Sequence, residues 1–293
     1  PRSHRTPGFR LPPATALRTQ LAGARLAIAV LGIGLAAIAV YFFLPATPRD
    51  ALFVAFGTIG ALLIAGGAVR RLEPGDRLPW YLLATGQLAF SAGDLLFNFY
   101  PQLVGGELPF PSAADVVYLS GYPFLGVGIF LLVRPLTSAE GSFVYLDAVL
   151  ITGAFTLVQW VFLISPYVDQ TDESISARIV LMAYPAVDVL LLAVLARFFV
   201  VPSWRTPAYT LLMAAVALLI AADEFYLSNV DAYTDGQWSD SLWLLSYLLF
   251  AVAALSPSIK AVSGVSSVVL PRLSLARIGL VALLLATAQD LVT

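Results

Sequence analysis

Residues 115–134 read DVVYLSGYPFLGVGIFLLVR, an apolar run that opens on an acid, carries Tyr-Pro near its middle and closes on an arginine. Most of that outline returns at 177–197, ARIVLMAYPAVDVLLLAVLAR, and at 240–260, DSLWLLSYLLFAVAALSPSIK. At ~1.5 Å per residue each run is long enough to cross a ~30 Å hydrocarbon core as a helix. Tyr122, Tyr184 and Tyr247 stand 62 and 63 positions apart, and Arg71, Arg134, Arg197 and Lys260 stand 63 apart. That period fits one helical hairpin with its connections. Two spans per unit preserve orientation, so the repeats are expected to be parallel.

Working outward, the apolar pattern predicts nine membrane segments, at 26–44, 51–69, 79–100, 112–133, 143–165, 176–200, 207–227, 239–257 and 273–293. The expected fold class is therefore all-α, a polytopic membrane bundle of about nine spans made of tandem hairpins of about 63 residues. Residues 1–24 form a basic tail and 25–293 the transmembrane domain. The chain begins at Pro1 and stops within an apolar run, which leads us to expect a piece of a longer protein.

Composition agrees: 59% of the residues are hydrophobic, 12% are charged, and the mean hydropathy is +0.87. There is no cysteine, and His4 is the only histidine. Disulfides, thiolate chemistry, His-ligated metals, bis-histidine haem and a histidine-dependent serine protease are thereby excluded. We expect no catalytic residue, no metal and no cofactor. Membrane lipids and a small ligand are the expected partners, a homodimer is compatible, and nucleic acid is not expected.

Fourteen of the sixteen Arg and Lys residues fall in the N-terminal tail or where even-numbered spans end, leaving Arg49 and Arg178 on the other side. This asymmetry places the N-terminus in the cytoplasm of a multi-pass inner-membrane protein. The opposite loops are acidic, with Glu107, Asp115, Asp169, Asp172, Glu173, Asp231, Asp235 and Asp240. They read either as solvated surface or as the mouth of a cation or ligand site.

Polar residues inside the spans narrow the site. Gln87, Ser91, Asp94 and Asn98 are spaced 4, 3 and 4, on one helix face, and Thr152, Thr156 and Gln159 repeat the pattern. Such faces turn away from lipid, as hydrogen-bonding glue or as a cavity wall. Asp223 and Glu224 close the seventh span. Asp188 lies about 18 Å into its own, where an acid costs about 2.5–3.5 kcal/mol on insertion scales, so it calls for a proton or a partner. Proline after Tyr122 and Tyr184 predicts bends with a hydroxyl beside them. The expected ligand-binding set is Asp94, Asn98, Tyr122, Tyr184, Asp188, Asp223 and Tyr247, with Asp188 at the floor of an outer cavity.

The stretches DVVYLSGYPFLGVGIFLLVR, LDAVLITGAFTLVQWVFLISP (146–166), AYPAVDVLLLAVLAR (183–197) and WLLSYLLFAVAALSPSI (243–259) resemble the N-terminal multi-span membrane region of actinobacterial cyclic-di-GMP signalling proteins, in which GGDEF and often EAL domains follow. The resemblance covers residues 80–260 and implies a membrane sensor whose output is cytoplasmic. The chain contains no GGDEF or EAL segment, and Gly105-Gly106-Glu107 lies in an outer loop, so no catalytic residue is implied. A transporter or channel and an accessory subunit of a larger membrane complex are the alternatives.

Overall fold

A computed structural model describes residues 14–106, 108–137, 152–168, 174–200, 206–229 and 232–263. Among them every long element is a helix, and no strand occurs. The helices are α1 (Ala14–Tyr41), α2 (Ala46–Arg71), α3 (Leu78–Leu103), α4 (Ala113–Thr137), α5 (152–168), α6 (Ile175–Val200), α7 (Pro207–Ser228), α8 (Asp240–Leu255) and the short α9 (Ile259–Ser263).

Local chemistry accounts for the ends. Pro79 and Pro207 sit in the first turns of α3 and α7, where their missing N–H has no partner to lose. Ser112 and Asp115 form a capping box on α4: the Asp115 carboxylate accepts from the Ser112 amide at 2.7 Å, and the Ser112 hydroxyl accepts from the Ala114 amide at 3.2 Å. Arg70 and Arg71 occupy the last turn of α2, where they complement the helix dipole.

Five helical segments among the described residues are long and apolar enough to cross a membrane: Leu21–Tyr41, Ala46–Arg71, Ala113–Leu132, Ile175–Ala196 and Pro207–Ser228. Large apolar side chains such as Ile33, Leu62, Phe130 and Leu190 are exposed on them, which suits a lipid-facing surface. α3 is as long but carries the polar face, and α8 has only 16 residues. The predicted fifth span is described only from residue 152, as α5 with a π-helical stretch at Trp160–Ile164, and the predicted ninth lies outside the described residues.

The helices close a ring. α2 packs on α3, α3 on α4, α4 on α6, α6 on α7, α7 on α8, and α8 on α2 again. α1 lies against the outside of α8, and α9 touches α4, α7 and α8. α8 is thus surrounded, and its residues from Ser246 to Leu255 are all buried, as expected for a helix that is apolar all round.

Small residues let these helices approach. A Cβ at Gly86 of α3 would come within 2.9 Å of the Gly121 carbonyl of α4, and one at Gly121 within 3.0 Å of the Gly86 carbonyl. Close backbone approach of this kind is how helices gain packing energy in lipid, where burial of apolar surface gives no drive.

α4 and α6 are helical on both sides of Pro123 and Pro185, and α3 carries irregular backbone at Phe99 (φ −116°, ψ 15°), just before Pro101. One expectation changes here. Thr156 is exposed and returns its hydroxyl to the Thr152 carbonyl at 2.8 Å, so the polar pattern of α5 does not all face inward.

Candidate ligand cavity

The ring encloses a cavity of about 610 Å³ at the end where α2, α4, α6 and α8 begin and α1, α3 and α7 finish. Alternating helix directions bring together the C-terminal polar residues of some spans and the N-terminal acids of others. The expected site residues Asp94, Asn98, Tyr122, Tyr184, Asp223 and Tyr247 all line it.

Two hairpins organise the site, α3–α4 and α7–α8, and they are built alike. In the first, Asp115 is followed at +3 by Tyr118 and at +7 by Tyr122; in the second, Asp240 is followed at +3 by Trp243 and at +7 by Tyr247. The +3 aromatic donates within its own hairpin: Tyr118 Oη to Asp94 Oδ1 at 2.8 Å, and Trp243 Nε1 to Asp223 Oδ1 at 2.8 Å. The +7 tyrosine donates to the other hairpin: Tyr122 Oη to Asp223 Oδ2 at 2.8 Å, and Tyr247 Oη to Asp94 Oδ2 at 3.4 Å. Each carboxylate therefore accepts one donor from its own hairpin and one from its partner. Hydrogen bonds to a carboxyl contribute about 0.5–3 kcal/mol each, most when it is charged, so the exchange ties the two hairpins together.

A second pair of acids anchors the rim. Asp115 turns its remaining oxygen to Tyr184 Oη of α6 at 3.0 Å. Asp240, one of the acidic loop residues that the sequence left open between solvated surface and the mouth of a site, is buried, and it accepts from Tyr41 Oη at 2.6 Å, Tyr233 Oη at 2.7 Å and the Gly236 amide at 2.7 Å. It fastens the end of α1 and the loop before α8 to one point. Beside it in that loop, loss of water contact raises the Asp235 carboxyl above its ordinary range; the negative charges of Asp240 and Asp50 add to this, and Arg49 opposes it.

The polar face of α3 divides between the two roles that its spacing allowed. Gln87 donates to the Gly57 carbonyl at 3.0 Å and Ser91 to the Val54 carbonyl at 2.7 Å, so both bind α2 to α3. Asp94 and Asn98, nearer the helix end, line the cavity, with Asn98 Nδ2 returned to the Asp94 carbonyl at 2.9 Å.

Asp188 does not line the cavity, which corrects its expected place at the floor. It is fully buried, and neither carboxyl oxygen has a hydrogen-bond partner among the described residues. The carboxyls of Asp223 and Glu224 are near enough to act on it electrostatically, and Glu224 itself accepts from Gln159 of α5.

Sequence reasoning singled out neither Tyr118 nor Trp243, nor Tyr41, Tyr226 and Tyr233 at the rim. The Asp, +3 aromatic, +7 Tyr pattern shared by residues 115–122 and 240–247 is the signal that finds the first two. Of the acidic loop residues, Asp115 and Asp235 line the cavity, whereas Glu107, Asp169, Asp172, Glu173 and Asp231 lie outside the described residues. Among the described residues no group of three acidic or histidine side chains is placed to hold a metal ion. No protein-family model, no curated protein and no solved structure matches the chain, so the site's chemistry must be read from its own geometry.

Proposed function

We propose that this chain is the membrane-embedded sensory or regulatory module of a bacterial signalling protein. It takes a small ligand into the cavity and passes a shift of helices to a cytoplasmic output, which the sequence resemblance suggests is of the cyclic-di-GMP type. In this reading the bundle has nine spans in tandem hairpins of about 63 residues and sits in the inner membrane with its N-terminus in the cytoplasm. The cavity then faces outward. Lipid is its solvent, and a homodimer is the simplest assembly that would transmit the shift.

The exchanged carboxylate bonds carry the proposal. A ligand can bias a two-state element only through contacts that differ between the states. Here the wall of the cavity is also the joint between two hairpins, so a molecule that replaces the Tyr122–Asp223 or Tyr247–Asp94 bond acts directly on their packing.

Spin labels test the joint, since the chain has no native cysteine. With labels on exposed Val127 of α4 and Ala217 of α7, the double variant Tyr122→Phe/Tyr247→Phe is expected to shift or broaden the interlabel distance distribution. An unchanged distribution removes the two-state premise.

Asp188, buried and without a hydrogen-bond partner among the described residues, favours a second reading, because buried acids in spans also serve ion and proton pathways. Proton and potassium flux through reconstituted vesicles would assign the cavity to a transporter or channel. Stoichiometric co-purification of another membrane protein would favour the accessory-subunit reading.

A further inference from the structure

We infer that the cavity recognises an organic cation, an ammonium group carried on an apolar body. The inference rests on the reading of the cavity as a ligand site, and it names the class of ligand.

Three properties of the wall point this way. Twelve of the 24 residues that line it are aromatic. Five more are aspartates, Asp50, Asp94, Asp115, Asp223 and Asp235, and none is lysine or arginine, the neighbouring Arg49 being engaged with Asp50 at 3.4 Å. Some of the rings meet edge to face, Phe90 on Tyr122 with centroids 5.0 Å apart and Tyr122 on Tyr184 at 6.5 Å, and Phe90 stacks on Tyr247 at 6.5 Å. Aromatic faces carry negative electrostatic potential and attract cations, most of all weakly hydrated ones.

Other ligand classes use only part of this wall. An anion would enter a chamber lined by five acids, with Arg49 at Asp50 as the neighbouring cation. A neutral apolar molecule would displace water from those carboxylates and give them no counter-charge in return. A metal ion needs several oxygens converging on one point, and these acids are spread over four helices and a loop. Most of their oxygens are also already taken up by Tyr, Trp or Ser donors. An organic ammonium is large and soft enough to meet the rings and sets a positive charge against Asp94, Asp115 and Asp223, which, unlike Asp50 beside Arg49, have no ion-pair partner among the described residues. A volume of about 610 Å³ leaves room for more than the ammonium itself, so an apolar body belongs to the ligand.

Matched probes give the test. The full chain is placed in nanodiscs of phosphatidylglycerol, whose headgroup has no ammonium, and titrated with choline and with its uncharged carbon isostere 3,3-dimethylbutan-1-ol. Benzoate and the tetraalkylammonium series from methyl to butyl are titrated alongside, and binding is read by calorimetry and thermal shift. Choline is expected to bind at least about tenfold more tightly than the isostere, with affinity rising along the series as the body grows. Asp223→Asn should weaken choline binding about tenfold or more. Should that variant fail to fold, Asp235→Asn at the rim should lower the affinity with the fold intact, while Asp76→Asn, outside the cavity, should leave it unchanged. Competition by phosphatidylcholine added to the nanodiscs would assign the ammonium to a lipid headgroup, and its absence to a soluble molecule.

Equal or tighter binding of the isostere, or binding of benzoate, would overturn the cation assignment and leave the sensor reading standing. No binding of any probe would overturn both the cation assignment and the use of this cavity as a ligand site.

Discussion

Tyr122 and Asp223 meet at 2.8 Å although they belong to different hairpins and to helices, α4 and α7, that are not successive members of the ring. Within the Tyr122 hairpin, the Asp94 carboxylate is occupied by Tyr118 and Tyr247. Pairing across rather than within the hairpin gives the cavity wall a joint, and a joint can be tested by coupling.

In a double-mutant cycle, Tyr122→Phe and Asp223→Asn should each destabilise the bundle by about 1–3 kcal/mol and show an interaction energy of about 1 kcal/mol or more. Tyr122→Phe combined with Asp94→Asn should be closer to additive. Reversible unfolding in mild detergent measures both cycles. Equal coupling to the two acids would mean that the exchange does not organise the site.

Adjacent glycines in α2 separate packing from propensity. A Cβ at Gly67 would lie 2.5 Å from the Ala254 carbonyl of α8, whereas one at Gly66 would meet nothing within 4 Å. Gly67→Ala should therefore destabilise by about 1–3 kcal/mol, as overpacking does. Gly66→Ala should be neutral or stabilising by up to about 1 kcal/mol, because alanine is the better helix former. Thermal unfolding of the two single variants is the measurement, and similar shifts for both would refute the close α2–α8 contact.

Asp188 holds two buried oxygens without hydrogen-bond partners among the described residues. Replacing such a group by an apolar side chain of similar size removes a desolvation cost of about 1–3 kcal/mol. Asp188→Leu is thus expected to raise the unfolding midpoint, and Asp188→Asn to keep the fold. A large loss of stability in Asp188→Leu would show that the carboxyl has a structural partner.

The raised Asp235 carboxyl makes a pH-dependent contribution of known sign. A carboxyl whose folded pKa lies above the ordinary 3.8 binds its proton more tightly in the folded chain, so stability is fullest below 3.8 and falls as pH rises through the folded pKa. Asp235→Asn should then raise the melting temperature slightly at pH 7 and have no effect near pH 3. A decrease at pH 7 would mean that the Arg49 attraction outweighs loss of water and the repulsion from Asp240 and Asp50.

Residue types and their spacing were sufficient for much of this molecule. Runs of apolar residues too long for a soluble core determined that the chain is helical and suited to a membrane, because an isolated span must satisfy its own backbone. The 4, 3, 4 spacing from Gln87 to Asn98 set which side of α3 avoids lipid, and the recurring tyrosines marked three positions that share one cavity wall. Only the tertiary structure decided the order of helices round the ring, the pairing of Tyr122 with Asp223 and Tyr247 with Asp94, and the burial of Asp240 and Asp188. The reason is physical. In a membrane the faces that meet lipid and the faces that meet protein are both apolar, so hydrophobicity does not say which helix lies beside which. That choice rests on close backbone approach at residues such as Gly67, Gly86 and Gly121, and on hydrogen bonds between residues about 100 to 150 positions apart, which become definite only when the bundle closes.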